Sequence, residues 1–450
     1  MWSPILFLSC VAPPLTSLPS TSATSSTSSP PSNLVIVLLD DAGIDLFADW
    51  GSPDPAPTPT LDALAATGVR FQQAYASPVC SPARAALLTG RYGRRTGVGG
   101  VIGSADAPFA LPLDEVTLPE LLRDAPDPWT TAFVGKWHLT TLDWPDADLQ
   151  PGLQGFDHHR GSIGNLGNPR RGYDYFRWRK QSDGVVGVSE VYATTDTIDD
   201  AIDLIRTMPE PWLLVLFPHA PHQPAHVPPA HLLSAPPPHD PRPRDLVKVM
   251  LEAFDTELAR LLAELDLDRT TVVVTSDNGT HPEALPRPDP DRGKGTLGEL
   301  GVRVPLVVAG ASVPTPGDSD ALVHLVDLFP TVAELTGASS PPSIPLDGHS
   351  LVPWLSDPVA GHGATARSVL YNERFQPNGP PPYAQYDWRS LRDGPWLYVE
   401  RRSGISLFDL RDGPYGQDLL ADGVDGDEEP LIRTLADRVG EIGRALAYDH

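Results

Sequence analysis

Four short apolar runs in this chain each end in polar side chains, and this repeated pattern constrains the fold more than any other feature. The runs occupy residues 33–39, 130–134, 212–217 and 270–275. Because they are rich in apolar and β-branched residues, they predict buried central strands. Helical patterns alternate with them, most clearly at residues 246–265. Strands that alternate with helices predict an α/β fold, with a mostly parallel sheet and helices on both faces.

Each of the four runs is followed closely by side chains that can bind ions or move protons. The four polar groups are Asp40 with Asp41, Lys136 with His138, His219 with His222, and Asp277 with Asn278. In open α/β sheets the ligand site lies beyond the carboxyl ends of the strands. We therefore expect the four groups to converge at one edge of the sheet.

Composition excludes several classes of protein. Of the 450 residues, 40% are hydrophobic and 20% charged, which is typical of a globular protein with a sizeable core. The formal net charge of −25 argues against a nucleic-acid partner, because sequence-independent binding needs a basic face. The chain has two cysteines, Cys10 and Cys80, so no disulfide framework is expected. Lysine occurs only at positions 136, 180, 248 and 294, so each lysine is a candidate for a specific role.

The N-terminal segment, residues 1–32, combines an apolar stretch with a low-complexity linker of Ser, Thr and Pro. An apolar stretch followed by small residues resembles a secretory signal, and Leu8-Ser9-Cys10 resembles a lipoprotein signal with Cys10 as the lipid-anchored residue. The segment lacks the basic residues that usually precede such a stretch. We expect an exported protein, which is periplasmic, secreted or anchored to a bacterial surface; a cytoplasmic protein remains the alternative.

The carboxylates indicate a metal site. Asp40, Asp41, Asp277 and Asn278 offer oxygen ligands from two strand ends. Adjacent carboxylates repel each other, so such a pair needs a cation or a shared proton. Ligation by oxygen alone favours Ca²⁺, or Mg²⁺ as the alternative, over zinc. The other interpretation, that these acids cap helices or lie on the surface, is disfavoured by the Asp-Asn-Gly sequence at the second strand end.

Cys80 lies in a specific motif. The sequence Cys80-Ser81-Pro82-Ala83-Arg84 is followed by Leu88-Thr89-Gly90-Arg91. This segment resembles the signature of the type I sulfatases, in the alkaline-phosphatase-like superfamily. The resemblance implies that a formylglycine-generating enzyme oxidises Cys80 to formylglycine, whose hydrated aldehyde is the nucleophile and a metal ligand. The alternative is a buried structural thiol.

Further motifs extend the resemblance over residues 33–420. They are Gly135-Lys136-Trp137-His138, Asp277-Asn278-Gly279, Gly293-Lys294-Gly295-Thr296 and Gly301-Val302-Arg303-Val304-Pro305. The resemblance implies a three-layer α/β/α fold with a large, mostly parallel central sheet. Residues 297–300 depart from the family pattern, in which a Tyr and a second Gly are commoner, so we expect a pocket of altered shape with its chemistry intact.

The resemblance also implies roles for the remaining candidates. Lys136 and Lys294 would bind sulfate, and His138 and Arg84 would contact the formylglycine hydrate. Asp277 would take the proton of the attacking hydroxyl. The histidine that protonates the leaving group usually lies in His-x-Pro after a strand, and both His219 and His222 fit this form. The longer match around residues 220–224 favours His222 as the general acid.

The C-terminal part has a different pattern. Short apolar runs separated by tight turns begin at about residue 367, and a helical pattern covers residues 431–446. They predict a small antiparallel sheet with one covering helix. We therefore divide the chain into the segment 1–32, a catalytic domain at 33–366 and a C-terminal subdomain at 367–450.

The resemblance implies an enzyme that hydrolyses sulfate esters and releases inorganic sulfate. Its partners would be a sulfated small molecule or saccharide and, during maturation, the formylglycine-generating enzyme. One alternative is a phosphonate monoester or phosphodiester hydrolase of the same superfamily, and a more distant one is a non-catalytic protein that binds sulfated glycans. Substrate choice is expected to depend on loops at residues 161–179, 224–243 and 281–291.

Overall fold

A computed structural model describes residues 33–103, 108–167, 172–339, 344–359, 367–411, 413–414, 416–421 and 428–446. The predicted signal segment, residues 1–32 with Cys10, lies outside these ranges, so export stays a prediction. Within the described ranges no helix has both the length and the apolar character needed to cross a membrane.

A single large sheet of eleven strands forms the centre of the molecule. Its strands are β1 (Asn33–Leu39), β2 (Val69–Tyr75), β3 (Thr130–Lys136), β4 (His158–Ser162), β5 (Trp178–Ser182), β6 (Val185–Ser189), β7 (Trp212–Phe217), β8 (Thr270–Ser276), β9 (Arg303–Val304), β10 (Leu306–Gly310) and β11 (Gly317–His324). Their order across the sheet is β11-β2-β10-β8-β1-β7-β3-β4-β5-β6, with β9 paired to β2. The five strands from β8 to β4 run parallel to one another.

The four strands predicted to carry polar ends are neighbours in this order. They are β8, β1, β7 and β3, which lie side by side and run in the same direction. Their carboxyl ends therefore meet at one edge of the sheet, as the sequence pattern predicts.

Helices cover both faces of the sheet. They are α1 (Pro59–Ala66), α2 (Cys80–Thr89), α3 (Gly93–Thr96), α4 (Leu118–Arg123), α5 (Gln150–Leu153), α6 (Ala193–Thr207), α7 (Pro243–Leu262), α8 (Glu299–Val302), α9 (Leu328–Thr336), α10 (Val352–Ser356) and α11 (Glu429–Ala445). Alternate residues of β1 enter two separate cores: Leu34 and Ile36 pack with α2, α4 and α9, whereas Val35 and Val37 pack with α1, α6 and α7. This alternation produces the three-layer α/β/α architecture.

The C-terminal part forms a second sheet. Its strands β12 (Val369–Gln376), β13 (Gln385–Asp393), β14 (Trp396–Arg401) and β15 (Gly404–Asp409) are antiparallel and pair in chain order. Helix α11 covers this sheet through Leu435 and Val439. The same apolar cluster includes Ala86 and Val326 of the main layers, so the small sheet packs directly against them.

Some parts of the fold were not predicted. The antiparallel strands β5 and β6 extend the sheet beyond β4, and β11 forms the opposite edge. In addition, His159 of β4 is buried, with its ring Nε2 3.1 Å from the Asp148 carbonyl oxygen. Polar residues in β5 and β11 made these two strands hard to predict, because edge strands do not have the continuous apolar pattern of buried ones.

Candidate active site

Cys80 lies among charged groups from three different strand ends and one loop. It is the first residue of α2 and is buried. Its Sγ lies 3.6 Å from Asp40 Oδ1, 3.6 Å from Lys136 Nζ and 3.2 Å from Lys294 Nζ. The sulfur atom therefore marks the point at which the predicted site residues converge.

Asp40 connects the cations on its side of the site. Its Oδ2 accepts hydrogen bonds from Lys136 Nζ at 2.6 Å and from Arg84 Nη2 at 3.0 Å. The same Arg84 nitrogen donates to Asp277 Oδ2 at 2.9 Å, and Nη1 donates to the Lys136 carbonyl at 2.6 Å. Because these side chains are fully buried, each charge depends on its partners, and the loss of one would leave another uncompensated.

Asp41, Asp277 and Asn278 form the other side of the oxygen-rich cluster. The Asp41 backbone N–H donates to Asp277 Oδ1 at 3.1 Å, and Asn278 Nδ2 donates to Asp41 Oδ1 at 2.8 Å. Asn278 Oδ1 is buried and has no hydrogen-bond partner in the structure. An unpartnered amide oxygen beside carboxylates suits a cation that prefers oxygen ligands.

A group of four side chains could hold a metal ion. The ligand atoms of Asp40, Asp41, Cys80 and His222 all lie within 4.8 Å of one another. With the oxygen atoms of Asp277 and Asn278 one hydrogen bond away, the residues present fit a divalent cation. This group shares Asp40, Asp41 and Cys80 with the predicted ligand set, but it contains His222 and does not contain Asp277 or Asn278.

Lys294 reaches the site from a loop that packs closely on two others. Its ammonium lies 2.6 Å from Asp41 Oδ1, its backbone N–H donates to the Thr280 carbonyl at 2.9 Å, and the next N–H, of Gly295, donates to the Pro78 carbonyl at 2.7 Å. Gly279 permits this packing, because a Cβ atom there would lie 1.8 Å from the Leu300 carbonyl oxygen.

The two candidate histidines occupy different positions. His222 faces the cluster, with Nε2 3.9 Å from Asp41 Oδ2. His219 is buried and its Nε2 lies 2.7 Å from Ser162 Oγ. The Tyr175 hydroxyl donates to both of their backbone carbonyls at 2.7 Å and so holds the segment between them. Only His222 has its ring directed to the oxygen-rich cluster.

His138 is held in an unusual backbone conformation. Its φ is 59°, which few residues other than glycine adopt, and its N–H donates to the Ile163 carbonyl at 2.7 Å. Its ring Nδ1 is buried without a hydrogen-bond partner in the structure. Strain of this kind persists where the surrounding structure enforces it, which is common at functional sites.

The electrostatics of the site follow from burial and from close charges. Burial alone would raise the pKa of Asp40, but Lys136, His222 and Arg84 hold it well below its ordinary value. The pKa of Asp277 is raised well above its ordinary value by burial and by the negative charge of Asp40. Burial and Lys136 lower the pKa of His138 and His222. Asp277 is thus the most basic carboxylate of the cluster.

Comparisons with known proteins agree with this geometry. The family model described as Sulfatase matches residues 32–338. The chain belongs to the sulfatase family. Arylsulfatase G of Rattus norvegicus is 30% identical to this sulfatase over 408 residues, which cover 77% of this chain and 72% of that protein. Arylsulfatase A of Homo sapiens is 30% identical over 382 residues, covering 78% and 71%. The chain is therefore a sulfuric ester hydrolase.

Solved structures support the fold. The crystal structure of Ps i-CgsB superposes with a TM-score of 0.76 at 24% identity and covers 92% of this sulfatase and 93% of that chain. BT4656, solved in complex with its substrate D-glucosamine-2-N,6-O-disulfate, gives a TM-score of 0.72 at 20% identity, covering 92% and 98%. These similarities confirm the alkaline-phosphatase-like fold that the sequence motifs imply.

Two cavities of the sulfatase each have one residue of the site in their lining. One, of about 600 Å³, begins at Lys294 and reaches the C-terminal sheet. The other, of about 320 Å³, begins at His138 and is lined by residues 162–167 and by Arg179. Residues 289–291 line the first cavity. Two of the loops expected to select substrate, 161–179 and 281–291, therefore contribute to these cavities.

Sequence reasoning missed several supporting residues of the sulfatase. Thr280 Oγ1 accepts from the Gly43 N–H at 3.0 Å and donates to Asp45 at 2.7 Å, while Arg244 of α7 pairs with Asp45 at 2.8 Å. This network connects the loops after β1 and β8. Its members lie outside any recognisable motif and meet only through the fold, so the sequence carried no local signal for them.

Proposed function

We propose that this sulfatase hydrolyses sulfate esters through a formylglycine derived from Cys80, with the help of one divalent cation. The observation that carries the proposal is the position of the Cys80 sulfur, within 3.6 Å of Asp40, Lys136 and Lys294. These contacts put the reacting atom between two ammonium groups, which suits the binding of an anionic ester.

Maturation of Cys80 by a formylglycine-generating enzyme is part of the proposal. The support is the sequence Cys80-Ser81-Pro82-Ala83-Arg84, in a chain that belongs to the sulfatase family. The hydrate of formylglycine supplies an oxygen nucleophile and a route to release sulfate by return to the aldehyde. In this arrangement Arg84 orients the residue at position 80, because its guanidinium is fixed by Asp40, Asp277 and the Lys136 carbonyl.

Asp40, Asp41, Asp277 and Asn278 would hold the cation together with the oxidised residue 80. We propose Ca²⁺, with Mg²⁺ as the alternative, because the proposed ligands are oxygen atoms once Cys80 carries the aldehyde hydrate, with His222 at the border. When bound, the cation supplies positive charge next to the nucleophile. The buried side chains of Arg84 and Lys136 and the partly exposed Lys294 face three buried carboxylates, Asp40, Asp41 and Asp277.

Side chains of the protein would bind the sulfate group, accept the proton and contact the hydrate. Lys136 and Lys294 bind the sulfate oxygens and stabilise the charge that shifts to the leaving oxygen as the S–O bond breaks. Asp277 accepts the proton of the attacking hydroxyl, which agrees with the raised pKa of its carboxyl group. His138, whose Nδ1 has no hydrogen-bond partner in the structure, contacts the hydrate.

His222 protonates the leaving oxygen in this proposal. Its ring lies at the border of the cluster, beside Asp41, whereas the ring of His219 is engaged with Ser162. A bound sulfate ester brings a negative charge close to His222, and this charge favours the protonated imidazole. His219 positions the segment that carries His222.

The proposed substrate is a sulfated saccharide or a small organic sulfate. Ps i-CgsB has been solved in complex with k-i-k-neocarrahexaose and BT4656 with D-glucosamine-2-N,6-O-disulfate, while several relatives are arylsulfatases. The cavity that begins at Lys294, of about 600 Å³, is within the usual size range of a ligand pocket.

The test compares two chromogenic substrates with the matured protein. We expect turnover of 4-nitrophenyl sulfate to exceed turnover of the 4-nitrophenyl ester of phenylphosphonate by at least about tenfold in kcat/KM, which corresponds to about 1.4 kcal/mol. A preference for the phosphonate would instead indicate a phosphonate monoester hydrolase. Binding without turnover of either substrate, in protein whose formylglycine has been verified, would contradict catalysis.

A further inference from the structure

The cavity that begins at Lys294 is lined on its far side by the C-terminal sheet. Arg374 of β12, Trp388 of β13 and Arg401 of β14 all contribute to its wall, with Phe408 of β15 beside them. A substrate held at Cys80 would extend into this space, because Lys294 contacts both the sulfur atom and the cavity.

Arg374 and Arg401 both lie against the Trp388 side chain. The guanidinium carbon of each lies 5.5 Å from the indole ring centroid, and Arg374 also stacks on Tyr386 at 3.7 Å. This arrangement keeps two positive charges next to aromatic surface rather than next to carboxylates. It produces a cationic and aromatic wall, formed by Arg374, Trp388 and Arg401.

The two arginines differ from their neighbours in the same sheet. Arg389 pairs with Glu400 at 2.8 Å and Arg392 lies 4.0 Å from Glu299. In contrast, neither Arg374 nor Arg401 forms an ion pair within 4.0 Å with a carboxylate among the described residues. The chain has a net charge of −25, so two arginines without ion-pair partners in one cavity are unusual. Their positive charges suit the binding of an anionic ligand.

Four acidic residues line the same cavity, and two of them, Asp418 and Asp291, lie close enough for their negative charges to act on Arg401, although neither forms an ion pair with it. Asp418 accepts hydrogen bonds from the backbone N–H groups of Leu407 and Leu420, at 3.1 and 3.0 Å. Asp289 pairs with Arg292 at 3.2 Å, and Glu299 is bound to the Tyr75 hydroxyl at 2.9 Å. Asp418, Asp289 and Glu299 each have their own partner in the structure.

The backbone around the wall is shaped locally. The pairing of β12 with β13 shifts register between Arg374 and Gln376, and Tyr386 on the facing strand has a φ of 62°. A bulge of this kind redirects side chains, and a positive φ is unfavourable for a tyrosine. The register shift begins at Arg374 itself, and Tyr386 is the residue on which Arg374 stacks.

We propose that this cavity binds a second anionic group, a carboxylate or a second sulfate, carried by the leaving group of the substrate, with Arg374 and Arg401 as its cationic partners and Trp388 against the intervening ring. The inference rests on the proposed sulfate-ester hydrolysis and deepens it by naming the substrate class. Guanidinium groups suit the role because their planar N–H groups match the oxygens of carboxylate and sulfate.

The experiment uses two matched substrate pairs with the matured full-length protein. The first pair is 3-carboxy-4-nitrophenyl sulfate and 4-nitrophenyl sulfate, which differ only in a carboxylate. The second is D-glucosamine-2-N,6-O-disulfate and D-glucosamine-6-O-sulfate, which differ only in the second sulfate. Sulfate release is measured for all four, and calorimetry measures the binding of the two sugars.

The variants are R401Q and R374Q, with R402Q as the matched control. Among the described residues, the Arg401 side chain bonds to Ser406 Oγ, at 3.2 Å, and lies against the Trp388 ring, so its removal should break few other contacts. Arg374 also donates to the carbonyl of Gly295, next to Lys294, so R374Q could change activity by moving Lys294. R401Q does not break this bond and is therefore the more decisive variant. Arg402 is exposed on the same sheet and donates to the carbonyls of Tyr383 and Ala384.

With the matured wild-type protein, we expect kcat/KM or binding affinity to be about tenfold or more higher for the substrate that carries the second anionic group, in at least one pair. Hydrogen bonds to charged groups are strong enough for such a difference. R401Q should abolish this preference mainly through KM or binding affinity. R402Q should keep both the preference and the turnover of 4-nitrophenyl sulfate. The inference is wrong if the protein hydrolyses 4-nitrophenyl sulfate but does not prefer the substrate with the second anionic group in either pair. It is also wrong if this preference survives in both R401Q and R374Q. In both cases the proposed function stands. If no sulfate is hydrolysed, the proposed function fails, and the calorimetric comparison still decides whether the arginines bind the second anion.

Discussion

The ammonium of Lys294 lies 3.2 Å from the sulfur of Cys80, although 214 residues separate them in the chain. The backbone on both sides of this contact is fixed, because the Lys294 N–H binds the Thr280 carbonyl and the Gly295 N–H binds the Pro78 carbonyl. The cation is therefore preorganised beside the nucleophile and does not have to be recruited by the substrate.

The first prediction concerns the oxidation state of Cys80. Protein produced without a formylglycine-generating enzyme should fold and bind metal but show little turnover, because a thiol cannot release sulfate by return to an aldehyde. Peptide mass spectrometry should find the conversion at Cys80 in active preparations, in proportion to their specific activity. C80A should be inactive under both conditions of production and serves as the control. Full activity with an unmodified thiol would refute the mechanism.

The second prediction concerns the metal. D41N keeps the shape of the side chain but removes one negative charge from the ligand group, so affinity for Ca²⁺ should fall by about tenfold or more in calorimetry. The matched control is D54N, since Asp54 also pairs with cations, Arg244 and Lys248, but lies outside the ligand group. Equal Ca²⁺ affinities in D41N and D54N would rule out the proposed ligand set.

The fold was largely predictable because buried parallel strands have a strong local signal. Runs such as residues 33–39 and 270–275 are continuously apolar, and the structure confirms both as strands of the central sheet. Strand order was not predictable: β10 lies between β2 and β8, a placement that depends on long-range packing. The edge strand β6 is exposed although three of its five residues are valine, so its apolar residues do not indicate burial in the sheet.

The positions of the candidate residues were predictable where motifs exist. The convergence of Asp40, Lys136 and Lys294 on Cys80 agrees with the expectation from their motifs. The cationic and aromatic wall of the cavity that begins at Lys294 was not predicted, because Arg374 and Arg401 lie outside the motifs that identify the other site residues. Their significance comes from missing carboxylate partners, which only the folded structure reveals.

The third prediction separates His222 from His219. If His222 protonates the leaving oxygen, H222Q should reduce kcat/KM at least about tenfold more for a sugar sulfate than for 4-nitrophenyl sulfate, because 4-nitrophenolate leaves without a proton. H219Q should lower both rates to a similar extent, since His219 acts through the position of its segment. The informative measurement is the ratio of the two rates in each variant. If this ratio changed more in H219Q than in H222Q, His219 and not His222 would be the general acid.

The last prediction concerns stability in mild acid and rests on His324, which is far from the metal ligands in sequence. His324 is fully buried at the end of β11, where its ring lies 5.0 Å from Tyr92 and 3.3 Å from Asn372 Oδ1. Burial, together with the positive charge of Arg367, lowers its pKa from 6.5 to about 3. The folded state therefore holds a neutral ring over a range in which the unfolded chain binds a proton.

The sign of the effect follows from this difference. Because the folded pKa lies below the unfolded one, His324 contributes full stability above pH 6.5 and loses it as the pH falls toward 3. Between pH 6.5 and 5 the loss should be about 2 kcal/mol, at about 1.4 kcal/mol per pH unit. Urea unfolding at these pH values should show that the free energy of unfolding changes less with pH in H324N than in the wild-type protein, even if H324N is less stable overall. H231N, which replaces an exposed histidine, should keep the original slope, and an H324N slope equal to that control would show that His324 is not the titrating group.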